Sequence, residues 1–374
     1  MAITRRTLLS ASGTLAAASV VPSGASAVVA KPQPLMRRIA IEEAWSIPEQ
    51  LQALAAVSEG DWTNLDVENV RPLGRGQGPL AANLLDVKRR LAEMDRLGID
   101  MHLLSLTSPG VQLFESGTAV ALAQLANDRL AEVVAANPTR FGGLASFAPQ
   151  DPDRAAKEME RAINTLKLNG FIVNSHTDNE YLDEPKFWPI LEAAESLGRP
   201  IYLHPRCPSD GMAAPFRNYR MQAAIWGFQA ETGTHAMRLI LSGVFDRFPN
   251  LQIVLGHMGE NIPFHLWRSD NWYRRRANAY PSKLPPSEVM KRNFHITTSG
   301  VEHGPALRYA IEVLGADRIM WAIDYPYEEM APAVTFMNEV EIPQVQRAAI
   351  YHLNTERLFH VASADSGAAR RSHQ

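Results

Sequence analysis

A chain of 374 residues, 46% hydrophobic and 21% charged, carries enough apolar mass for one large core, which excludes a disordered chain. Its formal net charge of −3 offers no basic surface to nucleic acid or to an anionic membrane, so a small molecule is the expected partner. The one cysteine, Cys207, excludes an intrachain disulfide and a CxxC pair, so any metal must be held by nitrogen and oxygen.

At the N-terminus, "TRRTLL" at 4–9 precedes an alanine-rich apolar run and the small-residue pattern "ASA" at 25–27. This is the pattern of a bacterial twin-arginine signal over residues 1–27, and it predicts a periplasmic or secreted enzyme. The apolar run is too short for a stable membrane anchor. Residues 28–374 are then read as a single domain.

Beyond that segment, short apolar runs alternate with helix-period stretches. Strands are predicted at 38–44, 101–106, 143–148, 171–175, 200–204, 252–257, 294–299 and 319–324. Eight strands with helical crossovers predict an α/β fold of the (β/α)8 TIM-barrel class. An open doubly wound sheet would ordinarily carry a glycine-rich phosphate loop, and neither GxGxxG nor GxxxxGK occurs. Leu84, Val87, Leu91, Met94 and Leu97 mark a helix expected to start at Asn83 and stop at Gly98, while Asp151-Pro152 and Glu184-Pro185 open two others. Residues 61–80 after strand one and 205–230 after strand five are read as long βα loops on the catalytic face.

The informative residues stand where these strands end: Glu42-Glu43 on the first, His204 on the fifth, His257 on the sixth and Asp324 on the eighth. Singly, each has a plainer reading as a solvated glutamate, a hydrogen-bonded core histidine or a loop-capping aspartate. Together they face one rim, where carboxylates and imidazoles in apolar strands call for a shared cation or an acid–base role. Alternation puts Glu42 and Ala44 on one face of the strand and Glu43 on the other, and leaves open which glutamate points inward. His176, at the end of strand four, is either a substrate contact or a structural hydrogen bond. Trp226, Phe228 and the stretch from Phe294 line either a pocket or the core.

In order and spacing, "IAIEEAWSIPE", "RLAEMDRLGIDMHLLSLTSPGVQ", "ETGTHAMRLILSGVFDRFPNLQIVLGHMGENIPFHLWR" and "IMWAIDYPYE" resemble the decarboxylase branch of the amidohydrolase superfamily, the non-oxidative hydroxybenzoate decarboxylases. The resemblance implies that Glu42, His204 and Asp324 bind one divalent metal ion, zinc or manganese. It places His257 and Glu260 beside that ion as catalytic groups; the need for an acid over the ring carbon that bears the carboxylate then makes Asp324 the expected immediate proton donor. It implies that Arg268 contacts the substrate of a neighbouring subunit, hence a homodimer or homotetramer, and that a second arginine, with Arg75 as candidate, lies after strand one. Many members have a histidine where Ala44 stands, so the metal has one protein ligand fewer here.

The activity so implied is release of CO2 from a hydroxylated aromatic carboxylic acid. Two carboxylates and one imidazole cancel the formal charge of a divalent ion and weaken its power to acidify water, which suits chelation by a small aromatic acid substrate. The alternatives are a mononuclear metal-dependent hydrolase of a lactone or amide, and a binding protein with no chemistry.

Overall fold

The computed structural model describes residues 36–58, 64–74 and 78–363, so the segment at 1–27 and Arg75 lie outside the described residues. Eight strands, β1 (Ile39–Trp45), β2 (Met101–Leu106), β3 (Phe141–Ser146), β4 (Gly170–Asn174), β5 (Ile201–His204), β6 (Ile253–Leu255), β7 (Phe294–Thr297) and β8 (Ile319–Met320), lie side by side in sequence order. Every ladder between neighbours is parallel, and β8 meets β1 through a parallel bridge between Ile41 and Ala322. This is the predicted (β/α)8 barrel. Inward side chains such as Ile39, Ile41, Leu103, Leu144, Ile172, Val254 and Met320 fill its axis, and a second, larger core packs the outer strand faces against the helices.

Two strands end earlier than the apolar runs suggest. β6 stops at Leu255 and β8 at Met320, so His257 and Asp324 stand beyond the regular ladders. One other expectation changes in detail. The helix Val87–Leu97 is capped by Asp86, whose carboxylate accepts from the Arg89 amide at 2.9 Å, while Asn83 lies inside the preceding helix Pro79–Leu85. Gly98, in the left-handed region at φ 67°, ends it as expected.

The connection after β1 is not simply a loop, because helices Pro48–Ser58, Leu65–Gly74 and Pro79–Leu85 occupy most of it. Val67, Val70 and Leu73 bury a helical face in a stretch that reads as polar. After β5 come the helices Asp210–Arg217 and Gly227–Leu241. The two connections are clamped by a buried ion pair: Arg206 donates to Asp66 Oδ2 at 2.8 and 2.6 Å, and Asp66 Oδ1 accepts from the Cys207 amide at 3.1 Å. Among the described residues no helix is long and apolar enough to cross a membrane.

Candidate metal centre and acid–base site

The glutamate pair is sorted by a β-bulge. Ile39 pairs with Met101 and Ala40 with His102, but the next partner of Leu104 is Glu43, so Ile41 and Glu42 together stand against Leu103. One extra residue in β1 turns both Ile41 and Glu42 into the barrel and sends Glu43 the other way. Glu42 adopts φ 68° to do so, a conformation that side-chain-bearing residues rarely hold without compensating contacts.

Those contacts are hydroxyls. Tyr202, Ser299 and Thr297 all donate to Glu42 Oε2, the last at 3.0 Å. Burial, then the Glu42 charge, holds the Tyr202 phenol well above its ordinary range, so it stays a donor. Glu42 Oε1, equally buried, has no hydrogen-bond partner. It lies 3.6 Å from His204 Nε2 and 3.6 Å from His257 Nε2. Gly256 is required alongside, because a Cβ there would come within 2.8 Å of Glu42 Oε1.

His204 is set up as a lone-pair donor. Its Nδ1–H donates to the Pro205 carbonyl at 2.8 Å, which leaves Nε2 unprotonated and facing Glu42. Burial lowers its pKa and keeps the ring neutral. Asp324, held at φ 77°, completes the set: one ligand atom each from Glu42, His204 and Asp324 lie within 4.8 Å of one another. An unpartnered buried carboxylate oxygen, a neutral imidazole nitrogen and a second carboxylate at that spacing fit a single divalent cation. Among the described residues this is the one such cluster.

His257 and Glu260 stand on a left-handed turn, with φ of 48°, 57°, 81°, 52° and 66° at residues 257 to 261. Each non-glycine step costs about 1–2 kcal/mol. The turn is held by the His257 amide on Ser299 Oγ at 3.2 Å and by the His257 Nδ1 to Glu260 Oε1 bond at 2.7 Å. His257 Nε2 reaches Asp324 Oδ2 at 3.6 Å. Burial opposes charge on His257, but the carboxylates of Glu260, Glu42 and Asp324 prevail and hold its pKa well above normal. Burial pushes Asp324 up to about 7 against the lowering pull of His257. His257 thus faces Asp324 as the neighbouring group with which a proton could be exchanged. A cleft of about 380 Å³ opens beside His257, lined by Gln229, Met258, Asn261, Phe264, Val301 and His303 among others.

Other sequence candidates fall elsewhere. His176 is buried with both ring nitrogens on backbone, Nε2 to the Cys207 carbonyl at 3.2 Å and Nδ1 to the Asn179 amide at 3.4 Å, so it braces the loop after β4. Arg268 is exposed on the helix Ile262–Arg275, beside exposed Phe264 and Trp267. Phe294 packs edge-on against Phe245 in the outer core, and Trp226 is half exposed. Sequence reasoning missed Tyr202 and Ser299. Tyr202 was findable, since it precedes His204 by two positions on one strand face.

The amidohydrolase family profile matches residues 81–361. The γ-resorcylate decarboxylase of Polaromonas sp. is 37% identical over 334 residues, 86% of this chain and 98% of its own. The crystal structure of 5-carboxyvanillate decarboxylase from Sphingomonas paucimobilis is 51% identical, with a TM-score of 0.86 over 87% of this chain and 100% of that one. A 5-carboxyvanillate decarboxylase from Novosphingobium aromaticivorans with bound manganese and 3-methoxy-4-hydroxy-5-nitrobenzoic acid is 37% identical, with a TM-score of 0.83 over 87% and 97%. These relatives correct one expectation. They are decarboxylases matched over nearly their whole length, they lend no support to export, and the periplasmic or secreted placement is withdrawn.

Proposed function

We propose that this chain, which belongs to the amidohydrolase family, is a metal-dependent carboxy-lyase that removes CO2 from a hydroxylated aromatic carboxylic acid without oxidation. The observation that carries the reading is the divided Glu42 carboxylate, with one oxygen saturated by three hydroxyls and the other unpartnered toward His204, His257 and Asp324. Glu42, His204 and Asp324 are the residues that would hold the ion. When bound, a divalent ion there supplies positive charge that orients and neutralises the substrate carboxylate and an adjacent oxygen.

The remaining chemistry belongs to the chain. Net reaction consumes one proton, since an arenecarboxylate and H⁺ give the arene and CO2. Asp324 delivers that proton to the ring carbon bearing the carboxylate. The carbon–carbon bond then breaks, and its electron pair returns to the ring as CO2 leaves. His257 resupplies Asp324 through Nε2–H, and Glu260 fixes the imidazole by accepting from Nδ1–H. We read residues 28–374 as one barrel domain, and the chain as a homodimer or homotetramer in which Arg268 contacts a neighbouring subunit's substrate; the exposed Phe264 and Trp267 beside it support such an interface.

The test is release of ¹³CO2 from carboxyl-labelled hydroxybenzoates, 5-carboxyvanillate and γ-resorcylate included, by protein loaded with manganese or zinc. Turnover of at least one acid is expected. No CO2 from any of them, together with hydrolysis of an aryl lactone, would replace the decarboxylase by the hydrolase.

A further inference from the structure

The seam between β8 and β1 carries two of the three metal-facing residues, yet it is where backbone pairing is thinnest. The β7–β8 ladder ends at Thr297 and Met320, and β1 meets this segment at the Ile41–Ala322 bridge. Past that point side chains hold the strand. Thr298 Oγ1 accepts from the Ala322 amide at 3.1 Å, and Glu43 Oε1 accepts from the Ile323 amide at 3.0 Å. Ile323 immediately precedes Asp324, whose φ of 77° depends on its neighbours being fixed.

Glu43 is fully buried on the outer side of the bulge that turns Glu42 inward. Behind it stands Arg90, also buried, from the helix Val87–Leu97. Its guanidinium donates to the Ala44 carbonyl and lies 4.6 Å over the Tyr325 ring. Glu43, itself next to Glu42, and Arg90 thus touch both residues that flank Asp324, Ile323 and Tyr325.

We propose that Glu43 is a positioning residue for the metal site, its Oε1 taking the place of a missing strand partner for Ile323 and so fixing Asp324 opposite Glu42. This rests on Glu42, His204 and Asp324 being the metal-holding set. A buried amide needs an acceptor at the right reach, and here a side chain on the neighbouring strand provides it. Reach therefore matters more than charge, which separates positioning from a buried ion pair that merely stabilises the barrel.

The experiment compares Glu43→Gln, which keeps length and acceptor, with Glu43→Asp, which keeps the carboxyl group but falls one methylene short. Manganese affinity of the metal-free protein, thermal unfolding, kcat and KM are measured for each. Glu43→Gln is expected to stay within about threefold of the parent in affinity and kcat, and Glu43→Asp to lose about tenfold or more in both with little change in KM. Equal loss in the two variants, or parental affinity in Glu43→Asp, overturns the proposal. If Glu43→Asp does not fold, amide exchange at Ile323 in the parent decides: slowing on manganese binding is expected, and indifference to manganese overturns it. Glu42→Gln is the control. If that variant binds manganese normally the metal reading itself fails, whereas if it loses affinity and Glu43→Asp does not, the present inference alone fails.

Discussion

Replacing Tyr202 by phenylalanine removes one hydroxyl from Glu42 Oε2 and leaves the ring in the barrel core. A hydrogen bond to a charged acceptor is worth about 1.5–3 kcal/mol, which at about 1.4 kcal/mol per decade corresponds to roughly 10- to 100-fold. Thr297 and Ser299 remain on the same oxygen, so the loss should fall at the lower end. Manganese affinity of Tyr202→Phe is therefore expected to drop about tenfold, within the range for partners that orient a metal-binding carboxylate. Titration of metal-free protein followed by the electron paramagnetic resonance of free Mn²⁺ measures this directly. Thermal unfolding without metal controls for core damage, which should be small because ring packing is retained. An affinity equal to the parent's would refute the reasoning, since the hydroxyls would then not be what aims Oε1 at the ion.

Three further outcomes follow from the same geometry. Asp324→Asn should abolish CO2 release while the protein still binds some manganese through Glu42 and His204, and His257→Asn should lower kcat by about 10²–10⁴-fold, the range for a general acid or base; near-parental rates in single-turnover assays would remove either residue from the proton path. Stripping metal with a chelator should lower the unfolding temperature, because an ion at about a thousand times its Kd adds roughly 4 kcal/mol to stability; a transition indifferent to added manganese would contradict a site assembled only in the folded state. Arg206→Ala strands the buried Asp66 carboxylate and should cost about 3–5 kcal/mol in urea unfolding, and a loss below about 1 kcal/mol would mean the clamp is not a folded-state contact.

The sequence made the barrel legible because its strands are short apolar runs broken at helix caps and turns, and a buried parallel strand has little other way to be written. His204, His257 and Asp324 were visible for the converse reason, as polar residues closing apolar runs. The inward choice between Glu42 and Glu43 was not visible from alternation, which assumes an uninterrupted ladder, whereas Ile41 and Glu42 share one partner across the strand pair. The ends of β6 and β8 were drawn too long for the same reason: the residues up to His257 and Asp324 remain apolar and buried, but φ of 48° and 77° takes both residues out of strand geometry. Hydrophobicity records burial and is silent about φ. The helices after β1 escaped notice because their buried faces, such as Val67, Val70 and Leu73, are diluted by polar neighbours.

That pattern of success and failure has a physical basis in where this site spends its strain. Glu42, His257, Glu260 and Asp324 all sit in the left-handed region, and each is tied by a side chain more than by a ladder: Ser299 touches both Glu42 and the His257 amide, Glu260 holds His257, and Glu43 holds the residue before Asp324. A regular strand would point alternate side chains at fixed intervals and could not bring two carboxylates and two imidazoles so close around one point. Leaving the ladder at the rim makes the convergence possible, and the buried hydroxyls and carboxylates that replace ladder bonds then become part of the site. Local propensity and the observed backbone disagree most where the chemistry is, as expected when a fold supplies rigidity and its rim departs from the rule.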